Sequence, residues 1–492
     1  MAFSRFLFIF CQLTHFIFLC FLVSFQFFLR DFGDDLKLTI VLFLVFFGLA
    51  THFIQRILAH KRYDYFSFNF LFLFSYFIVY FHLAILKIFG FEVIKKYEWF
   101  IWADTSNISQ PIVIAACGLF AYFLGSGIRS TKKISNYKSI DASAPYHATV
   151  QLLTLLAFFS YIIFLFTSGS YISGAYVQDG SLLSTYAIRL FNILLFGALC
   201  IELHKIFNLE NRTLSLRQYI KKFYTPLILL LCIHVVMSFI VGDRGPILTY
   251  IILFFSVYFI KYYSLRFLYV LLFMLCTSYV FTILGEARTR VADQSFIERF
   301  ISASSVEIQE KSKWFYEEVP GQNFIELALS VRTLNTVVRD VPSEYDYQYG
   351  LFQLQQAVAI VPGLSGIYHN QVFDGDPQYD GTANFITWLI HRHDVDYGDG
   401  TSIVADIYLD FGLVGVILIL FAFGRIIAIY EIRLKYEKVE FNFYFLFFMT
   451  YLSKSIYLPR SSIMLEFSNI LFSLFAIWLM NELVKNVFLK YK

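Results

Sequence analysis

The stretch Leu227–Phe259, LILLLCIHVVMSFIVGDRGPILTYIILFFSVYF, decides the fold of this chain. Two apolar runs, Leu227–Val241 and Ile247–Phe259, are each long enough to cross or nearly cross a bilayer. Only the segment 242–245 (GDRG) and one proline separate them. Reversal over so few residues requires glycine, because turn residues adopt backbone angles that a side chain disfavours. The stretch therefore predicts a helical hairpin with its turn at a membrane surface.

The turn also carries two charged residues that chain reversal does not need. Asp243 and Arg244 precede Gly245-Pro246, and proline is well placed in the first turn of the following helix. A fixed cation beside a helix N-terminus is suited to bind a phosphate group. The turn therefore indicates an enzyme that acts on a lipid-linked phosphate, with Asp243 and Arg244 as candidate site residues.

The rest of the chain has the composition of a membrane protein. Hydrophobic residues make up 58% of it and charged residues only 15%, which leaves room for many spans of about 20 residues. The first charge-poor run follows a lone Arg5 without a small-residue cleavage site, so we expect a retained span. The twelve predicted spans are Phe6–Phe28, Leu38–Ile57, Phe68–Phe89, Pro111–Ile128, Val150–Thr167, Leu183–Phe207, Tyr224–Val241, Ile247–Ile260, Leu268–Leu284, Ile403–Tyr430, Phe441–Tyr457 and Met464–Val484. The sequence predicts an all-α polytopic membrane protein.

The distribution of basic residues predicts the orientation. Lysine and arginine concentrate in alternate loops, which by the positive-inside rule face the cytoplasm together with both termini. The opposite, outer face then carries the 242–245 turn, the long segment Gly285–Ser402 and the turn Tyr457–Arg460. The cytoplasmic basic residues are Arg56, Lys61, Arg62, Arg129, Lys132, Lys133, Lys138, Lys205, Arg212, Arg217, Lys221, Lys222, Lys261, Arg266, Arg433, Lys435, Lys438, Lys485, Lys490 and Lys492.

The chain divides into residues 1–284 with nine spans, 285–402 outside the membrane and 403–492 with three spans. A connection of more than a hundred residues is usually functional or folded. Part of it, Asn323–Asp340, is amphipathic with Leu327 and Val331 on one face, so we expect helices that form a lid.

Three further arginines are candidates for the same face. Arg288 and Arg290 lie just outside the ninth span and either anchor it in the interface by snorkelling or form a second phosphate clamp facing Arg244. Arg460 follows Pro459 in a short outer turn and either contacts headgroups or belongs to the site.

Asp406 and Asp410 enter the tenth span four residues apart, on one helical face. Carboxylates at a membrane boundary are costly unless they are paired or functional. The alternative is one exposed turn of interfacial helix.

Other kinds of chemistry have little support in the sequence. The six cysteines all fall within predicted spans and form no CxxC, so they are expected to pack without redox or metal function. His391 and His393 cannot share a helical face and have no third histidine or cysteine nearby, so we expect no metal. Without a Walker-type loop or GxGxxG we also expect no nucleotide cofactor and no nucleic-acid partner.

Three segments together resemble the Wzy family of O-antigen and capsular-polysaccharide polymerases. They are Val241–Pro246 with its Arg-Gly turn, the segment 400–415 (GTSIVADIYLDFGLVG) and the turn 457–460 (YLPR). The family's second motif is similar to a Gly-x-Ser, an acid, a Tyr and Phe-Gly-x-x-Gly. Asp406 would be the acid, where many relatives have Glu, and Tyr408 the tyrosine.

The resemblance implies a metal-independent glycosyltransferase of the GT-C class in the bacterial inner membrane. Its substrates would be glycans on undecaprenyl pyrophosphate, and a growing chain would be transferred to one lipid-linked repeat unit at the periplasmic face. Arginines would neutralise the pyrophosphate leaving group. Asp406, or a His or acid of the outer segment, would act as base or orienting acceptor for the acceptor hydroxyl. Membrane lipids and a chain-length-regulator protein are the implied partners.

Two alternatives remain open at this point. An O-antigen ligase shares the late outer segment and the arginines but uses a lipid A core acceptor. A lipid-linked oligosaccharide flippase should place charges near the midplane of several spans, whereas here Arg189 is the main charge within one.

We expect one outward-facing cavity beside a lipid-facing cleft, lined by most of Arg244, Arg288, Arg290, Asp406 and Arg460, with the helices of the outer segment as its lid. Four arginines repel one another unless an anion or nearby acids such as Asp243 and Glu286 neutralise them.

Overall fold

The computed structural model of the protein describes residues 2–29, 32–60, 65–91, 94, 97–127, 146–169, 171, 181–209, 213–288, 296–304, 320–359, 361, 363–393, 395, 398–436 and 441–489. These residues form helices joined by turns, with no β-strand among them. The prediction of an all-α polytopic membrane protein is confirmed.

The helices are numbered in chain order. They are α1 (Ala2–Val23), α2 (Phe25–Phe28), α3 (Asp34–His60), α4 (Phe68–Ile88), α5 (Glu98–Trp102), α6 (Ser109–Gly127), α7 (Tyr146–Thr167), α8 (Leu182–Phe207), α9 (Leu216–Ile220), α10 (Thr225–Val241), α11 (Arg244–Val257), α12 (Phe267–Arg288), α13 (Phe296–Ser304), α14 (Ile325–Ala328), α15 (Val331–Asp340), α16 (Leu351–Val358), α17 (Leu364–Val372), α18 (Thr382–His391), α19 (Ile403–Tyr436), α20 (Phe443–Lys454) and α21 (Leu465–Leu489).

Ten of the twelve predicted spans are helices long and apolar enough to cross a membrane. The other two are α10, with 17 residues, and α20, with 12. At 1.5 Å per residue they extend only about 26 and 18 Å, less than the roughly 30 Å of a hydrocarbon core. A full crossing by these two helices stays a prediction.

Helix α6 lies at the centre of the bundle. Of the residues in its most apolar 18-residue stretch, 89% are buried, as expected for a helix that is hydrophobic on every face. It packs most extensively against α19, the helix that begins with the predicted motif. By contrast, only 28% of the residues in the corresponding stretch of α12 are buried, so most of α12 lies on the lipid-accessible outside of the bundle.

The α10–α11 hairpin forms as the sequence predicts. Helix α10 ends at Gly242, whose φ of 79° is the left-handed conformation that glycine favours. Asp243 is the N-cap of α11, and its carboxylate accepts a hydrogen bond from the Gly245 amide at 3.2 Å. The two caps turn the chain within two residues and place Arg244 at the first position of α11.

The described helices α14 and α15, which lie between α12 and α19 in sequence, fold against one end of the membrane helices. On α15, the Asn335 side chain donates to the Ile101 carbonyl at 2.7 Å, and the Arg332 guanidinium lies 3.8 Å from the Phe100 ring centroid. Phe324, just before α14, contacts Phe74 of α4 with ring centroids 5.8 Å apart. These contacts hold α14 and α15 in place over the bundle.

Several residues used to predict orientation, including Lys61 and the run 129–138, lie outside the described residues. The cytoplasmic location of the termini therefore stays a prediction.

Candidate functional site

Three of the predicted site residues line one cavity. Asp243 and Arg244 from the α10–α11 turn and Arg460 from the turn before α21 border a space of about 400 Å³. This volume is within the range of small-ligand pockets. The cavity brings together two turns that are more than two hundred residues apart in sequence.

Arg244 forms an ion pair with Glu326 of α14. Its Nη1 donates to Glu326 Oε2 at 2.7 Å, and its Nη2 contacts Glu326 Oε1, so the guanidinium holds the carboxylate with two parallel hydrogen bonds. Nη1 also donates to the Phe281 carbonyl of α12 at 3.1 Å. The carboxylate occupies the guanidinium edge that a phosphate would use. The Glu326 side chain is 42% exposed, against 19% for Arg244.

Arg460 lies in a turn that α4 holds in place. The Tyr80 hydroxyl donates to the Pro459 carbonyl at 3.1 Å, and the Ser75 hydroxyl donates to the Ile456 carbonyl. No Asp or Glu in the described part of the chain forms an ion pair with Arg460. Its guanidinium is therefore the less neutralised of the two cations in the cavity.

Tyr457 sits among the charged groups of the cavity. Burial raises the pKa of its phenol to about 12, against the lowering effect of the Arg244 and Arg460 guanidinium groups. The phenol is therefore protonated at neutral pH and available as a hydrogen-bond donor.

Much of the remaining cavity lining is apolar and includes residues of the lipid-exposed helix α12. Phe273, Met274 and Phe281 from α12 line it together with Leu248 of α11. Phe273 is 46% exposed, so this side of the cavity borders the surface that α12 presents to lipid. A charged end beside an apolar, lipid-facing wall suits a molecule with a phosphate head and a hydrocarbon tail.

Asp406 does not line this cavity. It is 1% exposed and accepts hydrogen bonds from Gln353 Nε2 at 2.7 Å, Gln356 Nε2 at 3.2 Å and the Ser462 hydroxyl at 2.8 Å. Gln356 also donates to Thr382 Oγ1 at 3.1 Å. Asp406 thus links α16 to Ser462, which lies two residues after Arg460. Through Gln356 it is also connected to Thr382 of α18.

Asp410 lies one helical turn after Asp406 and also contacts α16. Its carboxylate accepts from the backbone amides of Gly350 at 3.2 Å and Gln353 at 3.1 Å, which caps the N-terminus of α16. Gly412 then breaks the helix with φ 62° and ψ −162°. Because that break interrupts the helical hydrogen bonds, the Leu409 carbonyl can accept from the Gln348 amide at 3.0 Å. The motif in segment 400–415 thus anchors α16 and the residues just before it.

The remaining predicted residues lie elsewhere. The Tyr408 hydroxyl lies 3.4 Å from that of Tyr347, away from the cavity lining. The Arg288 side chain and all of Arg290 are outside the described residues. The structure therefore brings Arg244, Asp243 and Arg460 together and places Asp406 outside the cavity lining. The catalytic role of Asp406 and the cavity roles of Arg288 and Arg290 stay predictions.

Sequence reasoning missed Glu326, the ion-pair partner of Arg244. The available signal was an acid on the amphipathic stretch Asn323–Asp340, beside Leu327 on its apolar side. The ion-pair role of this acid is not visible in the sequence, because only the fold places Arg244 opposite it.

The histidines considered as metal ligands have other partners. His391 Nε2 lies 2.7 Å from Asp399 Oδ2, and the same carboxylate pairs with Arg332 through Oδ1 at 3.2 Å. His393 Nδ1 contacts the His391 carbonyl at 2.7 Å. Within the described residues, no group of three or more His, Cys, Asp or Glu side chains is arranged to hold a metal ion.

Comparison with known proteins identifies the family. The family model for O-antigen polysaccharide polymerase Wzy matches residues 6–492, nearly the whole chain. Searches of the curated proteins and of the solved structures find no match. The resemblance drawn from the two turns and the 400–415 motif is confirmed, and the match favours polymerase over ligase and flippase. This multi-pass membrane protein belongs to the Wzy family of O-antigen polysaccharide polymerases.

Proposed function

We propose that this protein polymerises repeat units linked to undecaprenyl pyrophosphate at the periplasmic face of the bacterial inner membrane. The observation that carries the proposal is the cavity in which Arg244, Arg460 and Tyr457 surround one space beside an apolar, lipid-facing wall. Such a cavity suits a pyrophosphate attached to a polyprenyl chain. Family membership supports the reaction class, and the cavity supports the choice of leaving group.

In the proposed reaction, a hydroxyl at the non-reducing end of the acceptor unit attacks the anomeric carbon of the donor glycan. A new glycosidic bond forms, the bond from the anomeric carbon to the phosphate oxygen breaks, and the hydroxyl proton passes to a carboxylate or to water. The leaving group is undecaprenyl pyrophosphate, which gains negative charge as the bond breaks. Arg244 and Arg460 stabilise that charge, and Tyr457 donates a hydrogen bond to it.

Glu326 holds Arg244 in position while the site is empty. Without ligand, the charges of Arg244 and Arg460 are balanced by those of Asp243 and Glu326. Glu326 is the more exposed partner of its ion pair, so its carboxylate can turn to solvent when a phosphate takes its place. Arg244 can then form the same two parallel hydrogen bonds with phosphate oxygens.

The contacts of Asp406 support a positioning role for this predicted catalytic residue. Its bond to Ser462 fixes the chain next to Arg460, and its bonds to Gln353 and Gln356 fix the outer segment. Orientation of the acceptor hydroxyl by Asp406 stays a prediction.

The reaction is tested with purified protein in proteoliposomes that contain the undecaprenyl-pyrophosphate-linked repeat unit. The proposal expects a ladder of lipid-linked products without added metal or lipid A core. Glycan transfer only after addition of a lipid A core acceptor would instead indicate a ligase. Movement of the substrate across the bilayer without any ladder would indicate a flippase.

The orientation is tested with a single cysteine in a variant whose six native cysteines are replaced. Ser343 lies in the outer segment and is exposed, so Ser343→Cys should react with a membrane-impermeant maleimide in cells with a permeabilised outer membrane. Thr213→Cys, in a predicted cytoplasmic loop, is the matched control and should react only after the inner membrane is broken. The reverse pattern would contradict the periplasmic assignment.

A further inference from the structure

A second cavity lies on the other side of the α10–α11 turn. It encloses about 380 Å³ and includes Gly245, which also lines the Arg244 cavity. Its charged residues are Arg189 of α8, Lys454 at the end of α20 and Glu466 at the start of α21. The two cavities therefore flank the first turn of one helix, α11.

The two cavities each contain two cations but differ in their acids, which are Asp243 and Glu326 in the first and Glu466 alone in the second. Each contains one cation paired with a glutamate: Arg244 with Glu326 in the first, and Lys454 with Glu466 in the second, where Nζ and Oε1 are 3.4 Å apart. Each also contains an arginine that forms no ion pair with a described carboxylate, Arg460 in the first and Arg189 in the second. Both are thus suited to the same kind of anion.

The second cavity keeps a net positive charge. Glu466 is 6% exposed and accepts from Asn469 Nδ2 at 3.0 Å in addition to its pair with Lys454. The Arg189 guanidinium carbon lies 5.6 Å from the ring centroid of Phe472 on α21. Arg189 is exposed, whereas Lys454 is paired with Glu466, so one glutamate against two cations leaves an excess of one positive charge in the cavity lining that attracts an anion. A bound anion would supply the missing negative charge.

We propose that this second cavity binds the pyrophosphate of the other lipid-linked substrate, the acceptor unit, which rests on the proposed polymerase function. The reaction brings together two molecules that each carry a polyprenyl pyrophosphate, and the chain has two similar cavities around one helix turn. Arg189 and Lys454 bind the anion, and Glu466 holds Lys454 in place. The same chemistry would also accept the phosphate of a phospholipid headgroup, so the test separates these two sources.

Binding of farnesyl pyrophosphate to the detergent-solubilised full chain, followed by native mass spectrometry, counts the sites. The wild-type protein should bind two molecules. Arg189→Ala and Lys454→Gln should each retain one, with the affinity of the second reduced about tenfold or more, as expected from loss of a charged hydrogen-bond donor. Arg217→Ala, which removes an exposed arginine of α9, is the matched control and should still bind two. Size-exclusion profiles identify any variant that fails to fold.

The outcomes separate the second site from the first. Two molecules bound by both Arg189→Ala and Lys454→Gln would overturn the second site. A normal count for Arg244→Ala with one molecule lost from Arg189→Ala would overturn the Arg244 assignment and leave the second site standing. For the lipid source, the titration is repeated in nanodiscs with and without phosphatidylglycerol. In one outcome, nanodiscs with phosphatidylglycerol lose the farnesyl pyrophosphate whose binding depends on Arg189 and keep the other molecule. That result would show that the second cavity prefers a phospholipid headgroup, which contradicts the proposal.

Discussion

The Arg244 cavity and the Asp406 cluster lie at the same end of the bundle, yet they differ in how exposed their charged groups are and in what contacts them. In the cavity, two arginines face an open space, and the carboxylate that neutralises Arg244 is 42% exposed. In the cluster, one carboxylate is 1% exposed and is surrounded by three neutral donors from two segments. The first arrangement leaves room for a ligand, and the second leaves none.

This difference separates residues that contact substrate from residues that position them. A buried carboxylate whose acceptor positions are filled by amide and hydroxyl groups stabilises a junction between segments. A guanidinium whose partner can move to solvent is able to exchange that partner for another anion. Asp406 and Arg244 are both in family-like motifs, but the comparison assigns them different tasks.

Arg244→Ala should have the largest effect. Loss of one electrostatic stabiliser of a leaving group costs on the order of 10²- to 10³-fold in rate, so long-chain product should disappear. Arg244→Lys should also be poor, because an ammonium group cannot reproduce two parallel hydrogen bonds. The readout is the product ladder in proteoliposomes at matched protein level, with Arg217→Ala as control. A normal ladder from Arg244→Ala would assign the turn a purely structural role.

Arg460→Ala should be the next most damaging change. It removes the cation that is not ion-paired with a described carboxylate, and we expect a loss of roughly 10²-fold in rate with little change in thermal stability. Initial rates and melting temperature measured on the same preparation check this. A large fall in melting temperature with a proportional fall in activity would place Arg460 among the structural residues instead.

Asp406→Asn should affect stability more than the chemical step. The new amide group faces the donors of Gln353, Gln356 and Ser462, and a buried polar group without its partner costs about 1–3 kcal/mol. We expect faster proteolysis between residues 320 and 402 and roughly a tenfold loss of activity through displacement of Arg460.

Asp376→Asn is the matched control for Asp406→Asn, since Asp376 lies in an exposed turn of the same segment. A loss of activity as large as that of Arg244→Ala, with unchanged proteolysis, would support the sequence-based role of Asp406 at the acceptor hydroxyl.

Tyr457→Phe should have the smallest effect. Because the pKa of the phenol is raised to about 12, the group is protonated throughout the range of about pH 6 to 9 and donates a hydrogen bond at every pH in it. The variant should lose a few-fold in rate, equivalent to about 1 kcal/mol. The ratio of wild-type to variant activity should stay constant with pH. A ratio that falls as pH rises through 8 would mean that the phenol ionises in this range, with a pKa below its ordinary value of about 10.

Much of the fold follows from short-range sequence features. Ten spans are visible because apolar helices need no distant partner to be recognised, and the α10–α11 turn follows from Gly242 and the proline. The two exceptions, α10 and α20, are predicted as spans because their apolar runs extend into residues that the structure assigns to turns, such as Tyr457 after α20.

The candidate site depends on contacts that sequence patterns do not show. Topology predicts Arg244 and Arg460 at one face, whereas Glu326 is recognisable as a partner only from the position of α14 opposite Arg244. An acid at a membrane boundary indicates function and so predicts Asp406 in the cavity, whereas its partners Gln353, Gln356 and Ser462 come from two distant segments. Side-chain pairing over such separations depends on tertiary structure.

The most direct test of the central claim is a cryo-electron microscopy structure of the protein in nanodiscs with undecaprenyl pyrophosphate. The account predicts density for the pyrophosphate within hydrogen-bond distance of both Arg244 and Arg460, with Glu326 turned away and the polyprenyl chain along α12. Pyrophosphate density at another place, with the Arg244–Glu326 ion pair intact, would contradict it.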